Sequence, residues 1–190
     1  VHSINYALDC NLISTVYVST DDKEISEISM EHGAKVIHRP DHLSGDDATT
    51  ESAIEHTLSE ISDKPDIIVL LQVTSPLRPF NSLNDALKKF INNNYDSMLS
   101  ISPTHRFFWS INNENSVIPQ YDFLNRPRRQ DLKKTDMKFV ENGSVYIFTH
   151  KHFQSVKNRL GGKIGYMEFE EKFSYEIDSI TDFKFLELLA

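Results

Sequence analysis

Glu176 and Asp178 stand two residues apart, and two carboxylates at that spacing can share one hard cation. Mg²⁺ takes one or two carboxylates and completes its shell with phosphate oxygens and water. The aromatic and β-branched content of residues 173–177 predicts a strand, and period-two geometry would then turn both side chains to one face. The competing reading is that Asp178 or Asp182 caps the helix that follows, and for Asp182 capping is the better one. A second group follows the apolar run 67–71: Gln72, Thr74, Ser75 and Arg78. Amides, hydroxyls and one fixed cation suit a nucleotide or another polar anion. A capped, solvated loop would use the same residues.

Arg126, Arg128 and Arg129, followed by Gln130 and Asp131, form the dense basic cluster of an acidic chain. Guanidinium forks bind carboxylate and phosphate bidentately, although a charge run also serves as a solvated face. Arg39 and the stretch from Asp46 to Thr50 lie beyond another strand, where a helix N-terminus can receive an anion or where Thr49 and Thr50 simply cap. Asn142-Gly143 is a turn signal. His32, His56, His150 and His152 show no metal-ligand spacing, and Cys10 has no histidine beside it to activate a thiol.

These residues need elements to hold them. Strands are expected at 15–19, 35–38 and 67–71, with helices between them carrying Ile25, Ile28 and Met30, then Ile54, Leu58 and Ile61. Asp21 and Asp22 cap the first of these helices, and Gly33 closes it. Residues 67–71 are apolar at every position, as in a central strand covered on both faces. Leu83, Ala86, Leu87, Phe90 and Ile91 give one apolar helical face over 82–93. Further strands are expected at 97–101, 107–111, 143–148, 163–169 and 173–177, with helices at 150–157 and 181–189. The alternation indicates right-handed βαβ units and a mostly parallel sheet, with ligands beyond the carboxyl ends of its strands. Residues 112–141 are polar and irregular, with Pro119 and Pro127, and an excursion of that length is usually functional or an interface.

The chain has 190 residues, enough for one domain with a proper core. A net charge of −8 argues against a nucleic-acid binder. A single cysteine permits no internal disulfide, no apolar run is long enough to span a bilayer, and the first residues do not resemble a signal peptide. A soluble cytoplasmic protein is expected. Ile4, Ala7 and Leu8 open the sequence in a helix where an α/β domain normally begins with a strand, so an upstream segment is expected.

Taken together, several segments resemble the acylneuraminate cytidylyltransferases, which make CMP-activated sialic acids. They are the run from Val16 to Asp22, Arg39-Pro40 with Leu43, Leu70 to Arg78, Arg128-Arg129-Gln130-Asp131-Leu132, Glu141-Asn142-Gly143-Ser144-Val145-Tyr146, and Tyr175-Glu176-Ile177-Asp178 with Asp182. They fall in the family's order over nearly the whole chain. The resemblance implies a doubly wound, Rossmann-like nucleotidyltransferase sheet over residues 1–190, with 102–141 as an inserted lobe that dimerises and reaches the partner's site. It implies transfer of CMP from CTP to the anomeric hydroxyl of a sialic or related nonulosonic acid, with pyrophosphate released. Glu176 and Asp178 would hold Mg²⁺ and serve catalysis. Arg39 and Thr50 would contact the cytidine and ribose, Gln72 the sugar, and Arg129 its carboxylate; Ser75, Arg78, Gln130 and Asn142 complete the expected substrate-binding set. Three departures stand out. The family's first, central strand and its Gly/Ser/Arg/Lys-rich triphosphate loop have no counterpart in residues 1–190, the usual Asp-x-Asp pair appears as Glu176-x-Asp178, and Val73 replaces a proline. A non-catalytic nucleotide-sugar binding or dimerisation fragment, a 3-deoxy-octulosonate cytidylyltransferase and a nucleotidyltransferase using another base are the alternative readings.

Overall fold

The computed structural model describes residues 1–131 and 137–188. Leu132 and Leu189 lie outside the described residues, as does the side chain of Arg129. The first half runs α1 (His2–Leu8), β1 (Tyr17–Thr20), α2 (Lys23–Glu31), β2 (Lys35–His38), α3 (Thr50–Glu60), β3 (Ile67–Leu71) and α4 (Ser82–Asn92). The second runs β4 (Ser97–Thr104), β5 (Trp109–Ile111), β6 (Val117–Pro119), β7 (Lys138–Thr149), α5 (His150–Val156), β8 (Ile164–Glu168) and α6 (Ile180–Glu187). Among the described residues no helix is long and apolar enough to cross a membrane.

The main sheet has the order β3-β7-β4-β8. β3, β4 and β8 run one way and β7 runs against them, so the sheet is mixed with a parallel majority. Alternation along each strand divides the core into two layers. Val145 and Ile147 of β7 and Ile67, Val69 and Leu71 of β3 meet the apolar face of α4, Leu83, Ala86, Leu87 and Phe90. Tyr146 and Phe148, with Ile68 and Leu70, meet Ile54 and Leu58 of α3 and Phe153 of α5. Helices thus cover both faces, which is why β3 can be apolar throughout, but β3 is the edge strand of this sheet, paired antiparallel with β7, and not the central strand that its composition suggests.

β1 and β2 pair in parallel as a separate two-stranded sheet, although Tyr17 and Ile37 pack into the same core layer as Ile68 and Leu70. Asp22 caps α2, accepting from the Ile25 N–H at 2.7 Å, and Gly33 closes that helix at φ +85°. The α2 stripe does not enter the core as its periodicity suggests: Ile25, Ile28 and Met30 are exposed and only Ser29 is buried. The 107–121 segment is a small antiparallel hairpin of β5 and β6, on whose base Tyr121 packs against Phe107 and Trp109 at 4.4 and 5.8 Å between ring centroids.

Candidate active site

β7 changes register partway along. Tyr146 pairs with Leu99, whereas Glu141 pairs with Ile101, so the intervening residues of β7 bulge out of the ladder. Side chains replace the missing ladder bonds. Asn142 Oδ1 accepts from Ser100 Oγ at 2.5 Å and from the Ser144 N–H at 3.3 Å, and its Nδ2 donates to Ser102 Oγ at 3.0 Å. The Val145 N–H donates to Ser100 Oγ at 2.9 Å, and Ser75 Oγ donates to the Asn142 carbonyl at 3.4 Å. Ser75, Ser100, Ser102 and Asn142 are buried, so the pairing of their side chains matters energetically.

The bulge puts Gly143 at φ +64°, against the side chains that could do chemistry. A Cβ there would lie 2.2 Å from Glu176 Oε1 and 3.1 Å from Gln72 Oε1. Only a residue without a side chain lets those two groups close over the strand. The Gln72 N–H also donates to the Ser144 carbonyl at 3.4 Å, and the Ile177 N–H to the Thr74 carbonyl at 2.8 Å. That last bond docks the Glu176–Asp178 segment onto the loop after β3.

Residues 173–177 are therefore not the strand that their composition predicts; Phe173 ends a 3₁₀ turn that begins at Glu171, and the residues after it are fixed by one backbone bond instead of a ladder. Glu176 and Asp178 are nonetheless close. Partial burial pushes the Glu176 carboxyl above its usual range, and the charges of Asp178 and then Glu141 push it the same way. Asp178 is not the cap of α6. Ser179 is, in a capping box with Asp182, whose carboxylate accepts from the Ser179 N–H at 2.8 Å. Hydrogen bonds from Ser179 hold the Asp182 carboxyl below its usual range. The donor set of Glu176 and Asp178 fits Mg²⁺, which needs only one or two carboxylates when phosphate supplies further oxygens. Among the described residues no trio of His, Cys, Asp or Glu is arranged as a ready-made metal cage.

Three residues expected at the ligand turn inward. Arg78 donates to the Gln72 carbonyl at 2.7 Å, the Ser144 carbonyl at 3.2 Å and Ser3 Oγ at 3.0 Å, with its guanidinium 5.3 Å from the Tyr6 ring centroid. Burial draws the guanidinium down to about 10, partly offset by Tyr6. Ser75 and Asn142 are buried in the bulge network described above. The physical reason is shared: polar side chains at a strand end satisfy the backbone groups that the end of a ladder leaves over. These three position the loop that carries Gln72 instead of presenting themselves to a ligand.

A second group lies beyond β1 and β2. Arg39 Nη2 is 3.8 Å from Asp21 Oδ1, and Arg39 Nε is buried with no hydrogen-bond partner among the described residues. Thr49 caps α3, accepting from the Ser52 N–H at 3.1 Å, which leaves Thr50 in the first turn without that task. An open cleft of about 400 Å³ lies at the start of α3, lined by Leu43, Asp46, Asp47, Thr49 and Ser52 among others. Gln130 is exposed in the 3₁₀ turn Arg129–Asp131, where Arg128 Nε pairs with Asp131 at 2.6 Å. The sequence reading missed Glu141, which sits at the bulge beside Glu176 and accepts from the Tyr146 hydroxyl. Its signal was the motif running from Glu141 to Tyr146, where Asn142-Gly143 drew attention away from the flanking acid.

A family model described as cytidylyltransferase matches residues 1–190. The chain is 33% identical over 181 residues to an N-acylneuraminate cytidylyltransferase of Oncorhynchus mykiss, covering 93% of this chain and 40% of that protein. It is 26% identical to the post-translational flagellin modification protein B of Campylobacter coli, covering 99% of this chain and 82% of that one. The chain thus spans about two fifths of the length of several curated relatives that it matches. A solved CMP:2-keto-3-deoxy-manno-octonic acid synthetase, in complex with CTP, superposes with a TM-score of 0.68 at 14% identity over 99% of this chain and 85% of that one. At that identity the likeness concerns the fold alone.

Proposed function

The chain belongs to the cytidylyltransferase family, and from that premise we propose that it transfers CMP from CTP to the anomeric hydroxyl of a sialic or related nonulosonic acid, releasing pyrophosphate. One observation carries the reading: Gly143 lets Gln72 and Glu176 converge at the carboxyl end of β3, in a chain that the family model matches from end to end. In this reading Arg39 and Thr50 hold the cytidine and ribose, with the unpartnered Arg39 Nε free to donate to the base. Gln72 orients the sugar, and Arg129 with Gln130 meets its carboxylate. Ser75, Arg78 and Asn142 keep the Gln72 loop in place. Glu176 and Asp178 hold Mg²⁺, which when bound supplies charge neutralisation at the phosphates. Such a transfer needs positioning and neutralisation more than a protein nucleophile. The β5–β6 hairpin, with Ile111, Val117 and Leu124 exposed, is read as the lobe through which two copies pair.

The test is pyrophosphate release from CTP, with and without Mg²⁺, against sialic, legionaminic, pseudaminic and 3-deoxy-octulosonic acids, with UTP as competitor. Release with CTP and one of these acids is expected, and Asp178→Asn should abolish it while leaving the melting curve in place. A chain that binds CTP yet releases no pyrophosphate with any acid would be a binding module, and the enzymatic reading would be wrong.

A further inference from the structure

Tyr146 lies five positions after Glu141, and in a regular strand that odd offset would put them on opposite faces. The bulge cancels the difference. Tyr146 pairs with Leu99 and Glu141 with Ile101, two positions on one face of β4, so the side chains come together. The Tyr146 side chain is 2% exposed in the core layer under α3, and its hydroxyl donates to Glu141 Oε1. On its other side the Arg159 guanidinium lies 4.6 Å from the ring centroid, and Arg159 Nη1 is 2.6 Å from Glu51 Oε1 in the first turn of α3. Both charged side chains of that pair are more than three-quarters buried. Burial and the Glu141 carboxylate together push the Tyr146 hydroxyl up to about 12, so it remains a proton donor at any physiological pH.

The result is a continuous chain of contacts from Glu51, next to Thr50, through Arg159 and Tyr146 to Glu141, which stands in the bulge two positions before Gly143, the residue over which Glu176 closes. We propose that Tyr146 and Arg159 are positioning residues that lock the Glu141 carboxylate in the bulge on which Glu176 rests, fixing a negative charge near the divalent cation. Glu141 acts from outside the coordination shell, and the tie to Glu51 links that charge to the helix start beside Arg39 and Thr50. The inference rests on the cation reading given under Proposed function.

Binding of Mn²⁺, a paramagnetic substitute for Mg²⁺, is measured on the full chain by electron paramagnetic resonance, with melting curves on the same samples. Tyr146→Phe removes only the hydroxyl, and Glu141→Gln only the charge. Each should weaken Mn²⁺ binding about 5- to 10-fold, a shift of the size of one charge-assisted contact. The double variant should be no weaker than Glu141→Gln alone, because the hydroxyl acts through the carboxylate. Arg159→Gln, which leaves the Tyr146–Glu141 bond in place, should weaken it about 2- to 3-fold. Normal Mn²⁺ affinity in Tyr146→Phe with only a lower melting temperature would make Tyr146 a purely structural residue and overturn the proposal, as would independent, multiplying losses in the double variant. Mn²⁺ binding that survives Asp178→Asn unchanged would instead remove the cation site itself, and the proposal with it.

Discussion

Replacing Gly143 by alanine tests whether the bulge positions the acidic side chains or merely accommodates them. The substitution has two separable effects. At φ +64° a Cβ crowds the local backbone, a strain of about 1–2 kcal/mol. For a chain of 190 residues that lowers the melting temperature by roughly 2–8 °C. The new methyl also lands 2.2 Å from Glu176 Oε1, which must retreat by more than about 1 Å to reach ordinary van der Waals contact. Because that oxygen ends a flexible side chain, the retreat adds little to the loss of stability. It does move a carboxylate out of register with Asp178 and Gln72, and a misplacement of that size can cost roughly 100-fold in rate. Gly45, whose Cβ would meet nothing within 4 Å, is the stability control: Gly45→Ala should melt within about 1 kcal/mol of wild type. The assay is Mg²⁺-dependent pyrophosphate release from CTP at saturating substrates, with calorimetric melting. Destabilisation in Gly143→Ala with a turnover within twofold of wild type would refute the idea that the close approach positions Glu176.

The remaining expectations concern single groups. Asn142→Ala removes the acceptor of the Ser100 hydroxyl and of the Ser144 N–H and the donor to Ser102, and should destabilise by about 2–4 kcal/mol, read as a lower urea midpoint at unchanged slope. Glu176, with its carboxyl raised by burial and by its acidic neighbours, favours the fold when protonated and loses that contribution as pH rises through its folded value. Without divalent cation, Glu176→Gln should therefore melt about 1–2 °C higher than wild type near neutral pH, with the difference gone once the pH falls below the ordinary glutamate range; equal melting at both pH values would contradict the electrostatics. Arg129→Lys loses the bidentate fork and should raise the KM for the sugar acid roughly 10- to 100-fold while leaving that for CTP within about threefold; equal losses would move Arg129 to the nucleotide or to the fold.

Elements with a strong period were legible in the sequence. Leu83, Ala86, Leu87 and Phe90 announced α4 and its buried face, and the run from Ile67 to Leu71 announced a strand covered on both sides. Period alone did not say whether a face is covered: Ile25 and Ile28 repeat as a core stripe would, yet α2 leaves both exposed. Tyr175 and Ile177 look β-prone, but a strand needs a neighbour, and the one offered is a single carbonyl, that of Thr74. Ser75 and Arg78 show a deeper limit, since polar groups at a strand end serve backbone and ligand equally well, and only the tertiary positions of the Gln72 and Ser144 carbonyls decide. Glu141 was hidden for a related reason: its companionship with Tyr146 exists only once serines from β4 have filled the bulge.

That bulge gives β7 two independent registers, one for residues 145–149 against β3 and β4, the other for residues 138–141 against the outer end of β4. An error or a change in the outer segment cannot slide the inner one, because the pleat is interrupted between them. The hairpin beyond, with its tip closed by Asn112 and Ser116, is therefore free to accept insertions, deletions or a grafted epitope. Evolution, or an engineer, can rebuild what the outer lobe meets while Gly143 stays where Glu176 needs it.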